Sequence, residues 1–355
     1  MVPGRHERHW SRGDRVSRVG PNTGRSGRAS QGSVTVRRES GVGRGHRDHP
    51  RGVVIAALTG TVLERDGSVY HIATAGGTVH AVLSGKAKGE GPKVVVGDVV
   101  SLEAGQREGL HAITGVEPRR SVLARRMPEG RGLRPVVANV DQVVVVTATI
   151  DPAPVLQLLD RHLAIAEVNH LSAAVAINKI DLAPGEALAK RFRSAGYPVY
   201  LTSATTGQGI EELRKGLLGR ASVVTGPSGA GKSSLLNAVE AGLKLRVREI
   251  SAKIRRGRQT TVSAVMIPLT VGGFVIDTPG FSEVGLWGVE PGELADCFPE
   301  FRPLTAQCRF GDCRHLHEPD CAVLEAVANG TIQDDRYQSY LVLLGEVEAA
   351  PKPWE

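Results

Sequence analysis

A glycine-rich segment at residues 226–233 has the residue types and the spacing of a loop that binds phosphate. Its fixed positions are Gly226, Gly231, Lys232 and Ser233, in the pattern GxxxxGK[ST]. Consecutive backbone N–H groups of such a loop, together with the start of the following helix, create a positive potential that suits phosphates. We expect Lys232 to reach the β- and γ-phosphates of a nucleotide and the Ser233 hydroxyl to ligate Mg²⁺. The nucleotide contacts predicted from this segment are Gly226, Pro227, Ser228, Gly229, Ala230, Gly231, Lys232, Ser233 and Ser234.

The base of the nucleotide is predicted from Asn178, Lys179, Ile180 and Asp181, which follow an apolar run at 173–177. The Asp181 carboxylate can accept hydrogen bonds from N1–H and from the 2-amino group of guanine. Adenine offers neither donor, so the carboxylate would stay unpaired, which costs free energy. Asn178 would brace the loop, and the stem of Lys179 would cover the base. The motif therefore predicts a guanine site formed by these four residues.

Three further segments complete the predicted nucleotide site. Ser203 and Ala204 follow the next predicted strand and resemble the loop whose backbone N–H contacts guanine O6. Asp277 can hold Mg²⁺ through water, and the N–H of Gly280 can contact the γ-phosphate. Thr261, the second of two adjacent threonines, is expected to complete the Mg²⁺ shell with its hydroxyl.

The order of these motifs is unusual. In ordinary GTPases the phosphate loop comes first and the guanine motif follows. Here the guanine motifs at 178–181 and 203–204 precede the phosphate loop at 226–233 and the segment at 277–280. Rearranged connectivity can keep the same site because domain termini lie close together at the surface. The sequence therefore predicts a circularly permuted GTPase domain, in which the γ-phosphate segments lead into the C-terminal region and hydrolysis could reposition that region.

The residue that orients the attacking water is less obvious. Many regulatory GTPases have Gln directly after the glycine equivalent to Gly280, but this chain has Phe281, which cannot do so. Gln259 is the nearest alternative, unless it is only a mobile loop residue. A basic run surrounds it, which is either a solvated loop or a contact through which a partner activates hydrolysis: Lys253, Arg255, Arg256 and Arg258.

Near the C-terminus, three cysteines and one histidine lie within fourteen residues: Cys308, Cys313, His315 and Cys321. Thiolate and imidazole ligands in this number suit a single tetrahedral, structural Zn²⁺ site. Cys297 and His317 are competing ligands, and unpaired buried thiols are the alternative to a metal site. Because a short helical region has a small core, we expect the metal to hold it together.

The elements that position these residues suggest a multidomain chain. Short β-like runs separated by glycines predict a small barrel, an OB-fold or an SH3-like barrel, with strands at 53–63, 68–74, 78–83, 94–102 and 111–116. Alternating strands and helices then predict an α/β P-loop layout, and a strand before the phosphate loop with a helix after it disfavours a plain turn with a solvent-facing lysine. A small, mainly α-helical zinc domain follows. The predicted boundaries are 1–52 for an Arg/Gly-rich disordered arm, 53–118 for the barrel, 119–138 for a basic linker, 139–290 for the permuted GTPase domain and 291–355 for the zinc domain.

The composition limits the possible function classes. Residues 1–52 contain twelve arginines and four acidic residues. The net charge of this segment, +8, therefore exceeds the net charge of +7 on the whole 355-residue chain. This arm is either an electrostatic tether to RNA or a dispensable tail, including one from a start site assigned too far upstream. No apolar run is long enough for a transmembrane helix and no secretory signal is recognisable, so we expect a cytoplasmic protein that does not bind membranes.

Together these residues resemble the ribosome small subunit-dependent GTPase A (RsgA/YjeQ-like) family. The permuted motif order, the Cys/His cluster and the segments 118–123 (PRRSVL) and 297–301 (CFPEF) carry the resemblance over about residues 53–345. The resemblance implies an OB-fold, a permuted GTPase domain and a zinc domain that bind the small ribosomal subunit and its rRNA. It also implies GTP hydrolysis, stimulated by that subunit, during late subunit maturation.

The main departure from the family is at Gln259, where the family usually has a histidine that is implicated in hydrolysis. Glutamine can orient water but cannot titrate near neutral pH. Two other functions stay open: a GTP-gated RNA-binding switch with negligible turnover, and a permuted GTPase of large-subunit assembly. An ATPase would require that Asp181 not contact the base. Nothing in the sequence suggests an obligate dimer, so we expect a monomer that binds GTP and GDP.

Overall fold

The computed structural model describes residues 58–85, 92–105, 109–126, 133–243, 264–277, 286 and 289–349. These residues all belong to one compact unit, Ile55–Glu355. The arginine-rich arm predicted at 1–52 lies outside the described residues. Among the helices that are described, none is long and apolar enough to cross a membrane.

The first five strands form a closed barrel. They are β1 (Leu58–Asp66), β2 (Val69–Thr74), β3 (Gly77–Leu83), β4 (Val99–Ala104) and β5 (Leu110–Val116). The order around the barrel is β1-β2-β3-β5-β4, with β3 and β5 parallel and the other neighbours antiparallel. Alternate residues such as Val62, Ile72 and Ile113 point inward and are fully buried. This order is the OB-fold arrangement, which confirms the first of the two predicted barrels.

The basic segment 119–138, which we predict as a linker, contains a two-stranded antiparallel sheet. Its strands are β6 (Val122–Arg126) and β7 (Leu133–Ala138). The arginines obscure the strand pattern, but Leu123 and Val137 are buried in the same apolar core as the neighbouring α/β sheet. The backbone N–H of Ala138 also donates to the Val96 carbonyl at 2.9 Å, so this pair of strands connects the barrel to that sheet.

A six-stranded sheet forms the centre of the molecule. Its strands are β8 (Gln142–Ala148), β9 (Ser172–Asn178), β10 (Val199–Leu201), β11 (Ala221–Thr225), β12 (Val265–Pro268) and β13 (Phe274–Asp277). They follow the order β10-β9-β8-β11-β13-β12, and only β12 runs antiparallel to its neighbour. Every residue of β8 is buried, as a strand covered on both faces requires. The strand that leads to the phosphate loop, β11, is central although three strands of the sheet precede it in the chain.

Helices cover both faces of this sheet. They are α1 (Leu156–Val168), α2 (Glu186–Ser194), α3 (Ile210–Leu217) and α4 (Lys232–Val239). Leu159 and Leu163 recur at helical spacing in α1, and both are buried in the core that this helix shares with the sheet. In the structure Ala164 is buried as well, because it packs into the core of the C-terminal region. Helix α1 therefore lies between the sheet and that region.

The C-terminal region consists of short helices around an aromatic core. A 3-10 helix, Leu294–Cys297, is followed by α5 (Arg302–Thr305), α6 (Ala322–Ala328) and α7 (Asp334–Ala349). Phe298, Phe301 and Tyr340 are fully buried, with ring centroids 5.1–5.4 Å apart. Although aromatic residues are only 4% of the chain, several are concentrated here, so this small core is more strongly packed than the composition suggests.

Buried charges join the C-terminal region to the helices of the sheet. Asp160 of α1 is completely buried and accepts hydrogen bonds from Arg191 of α2 at 2.7 and 3.0 Å and from Arg336 of α7 at 2.6 Å. Arg336 also donates to Glu300, and Arg191 to Asp335. Burial alone would raise the pKa of Asp160, but the two guanidinium groups outweigh it and hold the pKa below its usual value.

Candidate functional site

The side chain of Asn178 brings three of the predicted motifs together. It lies at the carboxyl end of β9 and is 2% exposed. Its Nδ2 donates to the carbonyl of Ala230 in the phosphate loop at 3.1 Å. Its Oδ1 accepts from the backbone N–H of Ala204 at 3.1 Å. Segments that are far apart in the chain therefore meet at one edge of the sheet, where the carboxyl ends of the parallel strands lie.

The phosphate loop has the conformation that its glycines allow. Gly226 has φ 136°, and a Cβ there would lie 2.0 Å from the carbonyl oxygen of Val146. Gly231 has φ 86°, and a Cβ there would lie 2.4 Å from Nδ2 of Asn178. Any side chain at either position would clash with the sheet or displace Asn178. Gly231 also directly precedes α4, so the loop ends at a helix N-terminus.

Lys232 and Asp277 both line a small cleft beside the phosphate loop. The Nζ of Lys232 donates to the carbonyls of Gly226 and Pro227, each at 2.8 Å. The cleft has a volume of about 70 Å³, and its lining includes Lys232, Ser233 and Asp277. Burial raises the pKa of Asp277 and the nearby ammonium of Lys232 opposes that rise. Burial likewise lowers the pKa of Lys232, and the carboxylate opposes that change.

This cleft has donors that fit Mg²⁺. The hydroxyl of Ser233 and the carboxylate of Asp277 are hard oxygen ligands, which Mg²⁺ prefers over nitrogen or sulfur. The ammonium of Lys232 adds the positive charge that the phosphates of a nucleotide require. The other predicted contributors to this half of the site, Thr261, Gly280 and Gln259, lie outside the described residues, as does the surrounding basic run at 253–258.

The guanine motif forms a turn that follows β9. Lys179 has φ 63°, and its carbonyl accepts from the backbone N–H of Leu182 at 3.0 Å. Asp181 lies within this turn and is exposed, so its carboxylate is accessible to a ligand. Ile180 packs against the sheet core and donates its N–H to the Thr202 carbonyl at 3.3 Å. Asp181 is thus presented at the surface by neighbours that are held to the sheet.

The loop that carries the second guanine motif is also fixed by its own hydrogen bonds. Ser203 is fully buried, and its Oγ accepts from the N–H of Thr206 at 3.0 Å. Its backbone N–H donates to the Gln208 carbonyl at 2.9 Å. The Ser203 side chain therefore shapes the loop, and the N–H of Ala204 bonds to Asn178 rather than pointing into solvent.

The sequence prediction missed the segment directly after β8. Thr149 donates its Oγ1 to the carbonyl of Lys179 at 2.8 Å, and the Nζ of Lys179 donates to the carbonyl of Asp151. Pro152 lies against the phosphate loop, because a Cβ on Gly229 would be 3.1 Å from its Cδ. The position of this segment at the carboxyl end of a buried parallel strand is the signal that could have identified it.

The four predicted metal ligands lie together, with their ligand atoms all within 4.8 Å of one another. The Nδ1 of His315 is 3.3 Å from Sγ of Cys321 and 3.6 Å from Sγ of Cys308, and these two sulfurs are 3.9 Å apart. All four cysteines of the chain are free, so no disulfide competes. Three soft thiols and one imidazole in this arrangement fit a closed tetrahedral metal site.

The competing ligands are not part of this cluster. Cys297 is buried in the 3-10 helix, where its Sγ lies 3.9 Å from the carbonyl of Glu293, and burial raises the pKa of its thiol to about 12. His317 is exposed. The backbone of the cluster is supported by α7 instead, since Tyr337 donates its hydroxyl to the His315 carbonyl at 2.7 Å and Tyr340 donates to the Arg314 carbonyl at 2.8 Å.

Comparison with known proteins agrees with this arrangement. Residues 116–287 match the family model described as RsgA GTPase. A protein of Gemmatimonas aurantiaca named small ribosomal subunit biogenesis GTPase RsgA is 50% identical over 300 residues, which cover 82% of this chain and 98% of that protein. A protein of Moorella thermoacetica with the same name is 43% identical over 295 residues, again covering 82% and 98%. The resemblance noted in the sequence is confirmed.

Solved structures show the same fold. The crystal structure of YjeQ from Thermotoga maritima has a TM-score of 0.68 and 35% sequence identity, covering 83% of this chain and 99% of that one. The structure of YloQ, described as a circularly permuted GTPase, has a TM-score of 0.67 and 26% identity, covering 87% and 100%. The predicted permutation of the α/β domain is therefore confirmed as well.

Proposed function

The chain belongs to the RsgA GTPase family, and from that premise we propose that it hydrolyses GTP during maturation of the small ribosomal subunit. The observation that carries this proposal is the contact of Asn178 with both Ala204 and Ala230. It brings the guanine motifs and the phosphate loop together at one edge of the sheet in spite of their permuted order, as contact with a single nucleotide requires. The small ribosomal subunit is inferred as the partner because the similar proteins are named small ribosomal subunit biogenesis GTPase.

In this function each motif has a defined role. Asp181 reads the guanine edge, the stem of Lys179 covers the base and the phosphate loop holds the phosphates with Lys232. Bound Mg²⁺ would neutralise charge on the phosphates, and its ligands would be Ser233, Thr261 and, through water, Asp277. The N–H of Gly280 would contact the γ-phosphate. Gln259 would orient the attacking water.

The metal at the C-terminal cluster is proposed to be a single structural Zn²⁺ held by Cys308, Cys313, His315 and Cys321. The three thiols and one imidazole favour Zn²⁺ over Mg²⁺ or Ca²⁺, which prefer oxygen ligands. A closed shell of four protein ligands leaves no open position for catalysis, so the ion would stabilise the loops that carry it.

We further propose that the protein acts as a monomer in the cytoplasm and contacts rRNA of the small subunit. The domain boundaries that go with this proposal are 53–118, 119–138, 139–290 and 291–355. The net positive charge of the chain supports a polyanionic partner. Stimulation of hydrolysis by the subunit is part of the proposal.

Nucleotide binding followed by subunit-dependent turnover tests the function. We expect the protein to bind GDP and GTP and to reject ADP and ATP, and small subunits to accelerate GTP hydrolysis, less so as the salt concentration rises. Lys232→Ala should abolish this turnover, whereas Lys215→Ala, an exposed lysine of α3, should not. Guanine binding without acceleration by small subunits would indicate the GTP-gated switch. Acceleration by large subunits instead would indicate the other alternative.

A further inference from the structure

The segment after β8 makes two hydrogen bonds to the guanine motif, and the residue that donates both of them lies outside the motif. The backbone N–H of Thr149 donates to the carbonyl of Asn178 at 3.0 Å, which extends the pairing of β8 and β9. The Thr149 hydroxyl then donates to the carbonyl of Lys179 at 2.8 Å. These two bonds fix consecutive carbonyls of the motif to the end of β8.

Lys179 is the position in the motif that most needs an external anchor. Its φ of 63° lies in the left-handed region, which a residue with a Cβ adopts only when its surroundings hold it there. Its carbonyl closes the turn by accepting from the N–H of Leu182 at 3.0 Å. Asp181 lies inside that turn. The Thr149 hydroxyl bonds to the same carbonyl, so it fastens the turn that carries Asp181 to the sheet.

The same segment also fixes the lysine side chain and approaches the phosphate loop. The Nζ of Lys179 donates to the carbonyl of Asp151. The next residue, Pro152, lies against Gly229 of the phosphate loop. Thr149 is half-buried. It begins a short segment that lies between the base motif and the phosphate motif.

We propose that Thr149 is a positioning residue of the guanine site, which acts through its hydroxyl on the backbone of Lys179. It holds the turn in the conformation that presents Asp181 and the stem of Lys179 to the base. The proposal rests on the proposed guanine-nucleotide function and adds a residue that lies outside all of the recognised motifs. Because the contact supports the turn that would hold the base and does not reach the phosphate loop, it should affect nucleotide binding rather than the chemical step.

The test is the affinity of Thr149 variants for fluorescent GDP and a non-hydrolysable GTP analogue. Thr149→Val keeps the shape but removes the hydroxyl, and we expect both dissociation constants to rise by about 3- to 10-fold, the range for one net hydrogen bond. Thr149→Ser should restore affinity close to that of the wild type. The rate of GTP hydrolysis at saturating nucleotide should be unchanged. Thr74→Val, which removes a 2.7 Å hydroxyl–carbonyl bond in the barrel, is the matched control and should bind normally.

A double-mutant cycle separates positioning from general destabilisation. If Thr149 acts by positioning Asp181, Thr149→Val should cost clearly less affinity in an Asp181→Asn background than in the wild type. Equal affinity of Thr149→Val, Thr149→Ser and wild type would overturn the inference, and so would additive losses in the cycle. Should Thr149→Val not fold, Thr149→Ala removes the same hydroxyl and is judged by the same two outcomes. Failure of the wild type to bind guanine nucleotides would contradict the proposed function instead.

Discussion

The side chain of Asn178 illustrates how a single amide can organise a site. Its two hydrogen bonds reach backbone groups that are 26 and 52 residues away in the chain. One acceptor and one donor on the same side chain are satisfied by two different motifs. An aspartate at this position would lose the donor to Ala230 and place a negative charge beside the phosphate loop. The identity of this residue is therefore dictated by the protein as much as by the nucleotide.

Gln259 is the residue whose catalytic role is most open to experiment. We expect Gln259→Ala to lower subunit-stimulated GTP turnover by roughly 100-fold, because it removes the group that orients the attacking water, and to leave GTP affinity nearly unchanged. Gln259→His should keep turnover and add a dependence on pH near neutrality, since imidazole titrates there and an amide does not. Single-turnover rates across a pH series measure both effects. Full stimulated turnover in the alanine variant would exclude this role.

The metal cluster allows a prediction with a matched cysteine control. Cys308→Ser should lose the zinc ion that we propose for this cluster and lower the thermal midpoint of unfolding, because it removes one of the four proposed ligands. Cys297→Ser should retain the zinc, because this buried thiol is not part of the cluster. Metal analysis of the purified variants, combined with thermal unfolding, checks both expectations. Equal zinc content in the two variants would contradict the assignment of the ligands.

The sequence was sufficient to predict the cysteine–histidine cluster, because chemistry and spacing coincide there. Cys308, Cys313, His315 and Cys321 could be assigned because few other roles need such soft ligands so close together. The position after a buried parallel strand could have identified the segment that begins at Thr149, but not the role of Thr149 itself, because a lone threonine there has no distinctive spacing. Its role depends on the backbone conformation of Lys179, which no pattern in the sequence reports.

Among the elements, strand β8 and helix α1 mark the limits of prediction from sequence. The nearly unbroken valine run at 142–148 is typical of a parallel strand buried on both faces, and each residue of β8 is buried. The apolar spacing in α1 predicts a helix, but it does not predict that Ala164 is buried against the C-terminal region, which comes much later in the chain. The strands β6 and β7 were missed, since their arginines suggested a linker. The spacing of apolar residues predicts the type of an element, but it does not show which later segment of the chain will pack against it.

Helix α1 also gives a prediction about pH. His162 is 1% exposed, and its burial, with the nearby charges of Arg161 and Lys232, lowers its pKa from 6.5 to about 4. Between these values the unfolded chain binds a proton that the folded chain does not. Stability from this residue is therefore complete above pH 6.5 and is lost as the pH falls toward 4, by at most about 1.4 kcal/mol per pH unit.

The variant His162→Phe isolates this effect. Acid also protonates the metal ligands, but it does so in both proteins, so the difference between wild type and variant is the quantity to measure. We expect the wild type to lose stability more steeply than His162→Phe between pH 6.5 and 4 in urea unfolding. Parallel curves would contradict the lowered pKa of His162 in the folded protein.

On the scale of the whole molecule, the charge is unevenly distributed along the chain. The arm at 1–52 has twelve arginines, more than enough to account for the net charge of +7. If the arm is an electrostatic tether, its deletion should weaken binding to small subunits and reduce the dependence of that binding on salt. GTP affinity should not change. Cosedimentation with small subunits at several salt concentrations, for the full chain and for residues 53–355, measures this, and identical salt dependence would identify a dispensable tail.

The buried charges of Asp160, Arg191 and Arg336 have a mechanical consequence. Helix α2 comes shortly after the guanine motif and α7 comes after the metal cluster, yet both are bonded to the same carboxylate of α1. Moving α7 away from α1 would leave buried charges without partners in an apolar interior, which costs several kcal/mol. We therefore expect any movement that follows GTP hydrolysis to displace the C-terminal region together with α1 and α2. In that case the Cys/His cluster in the C-terminal region would not move independently of the sheet helices α1 and α2 when the nucleotide changes.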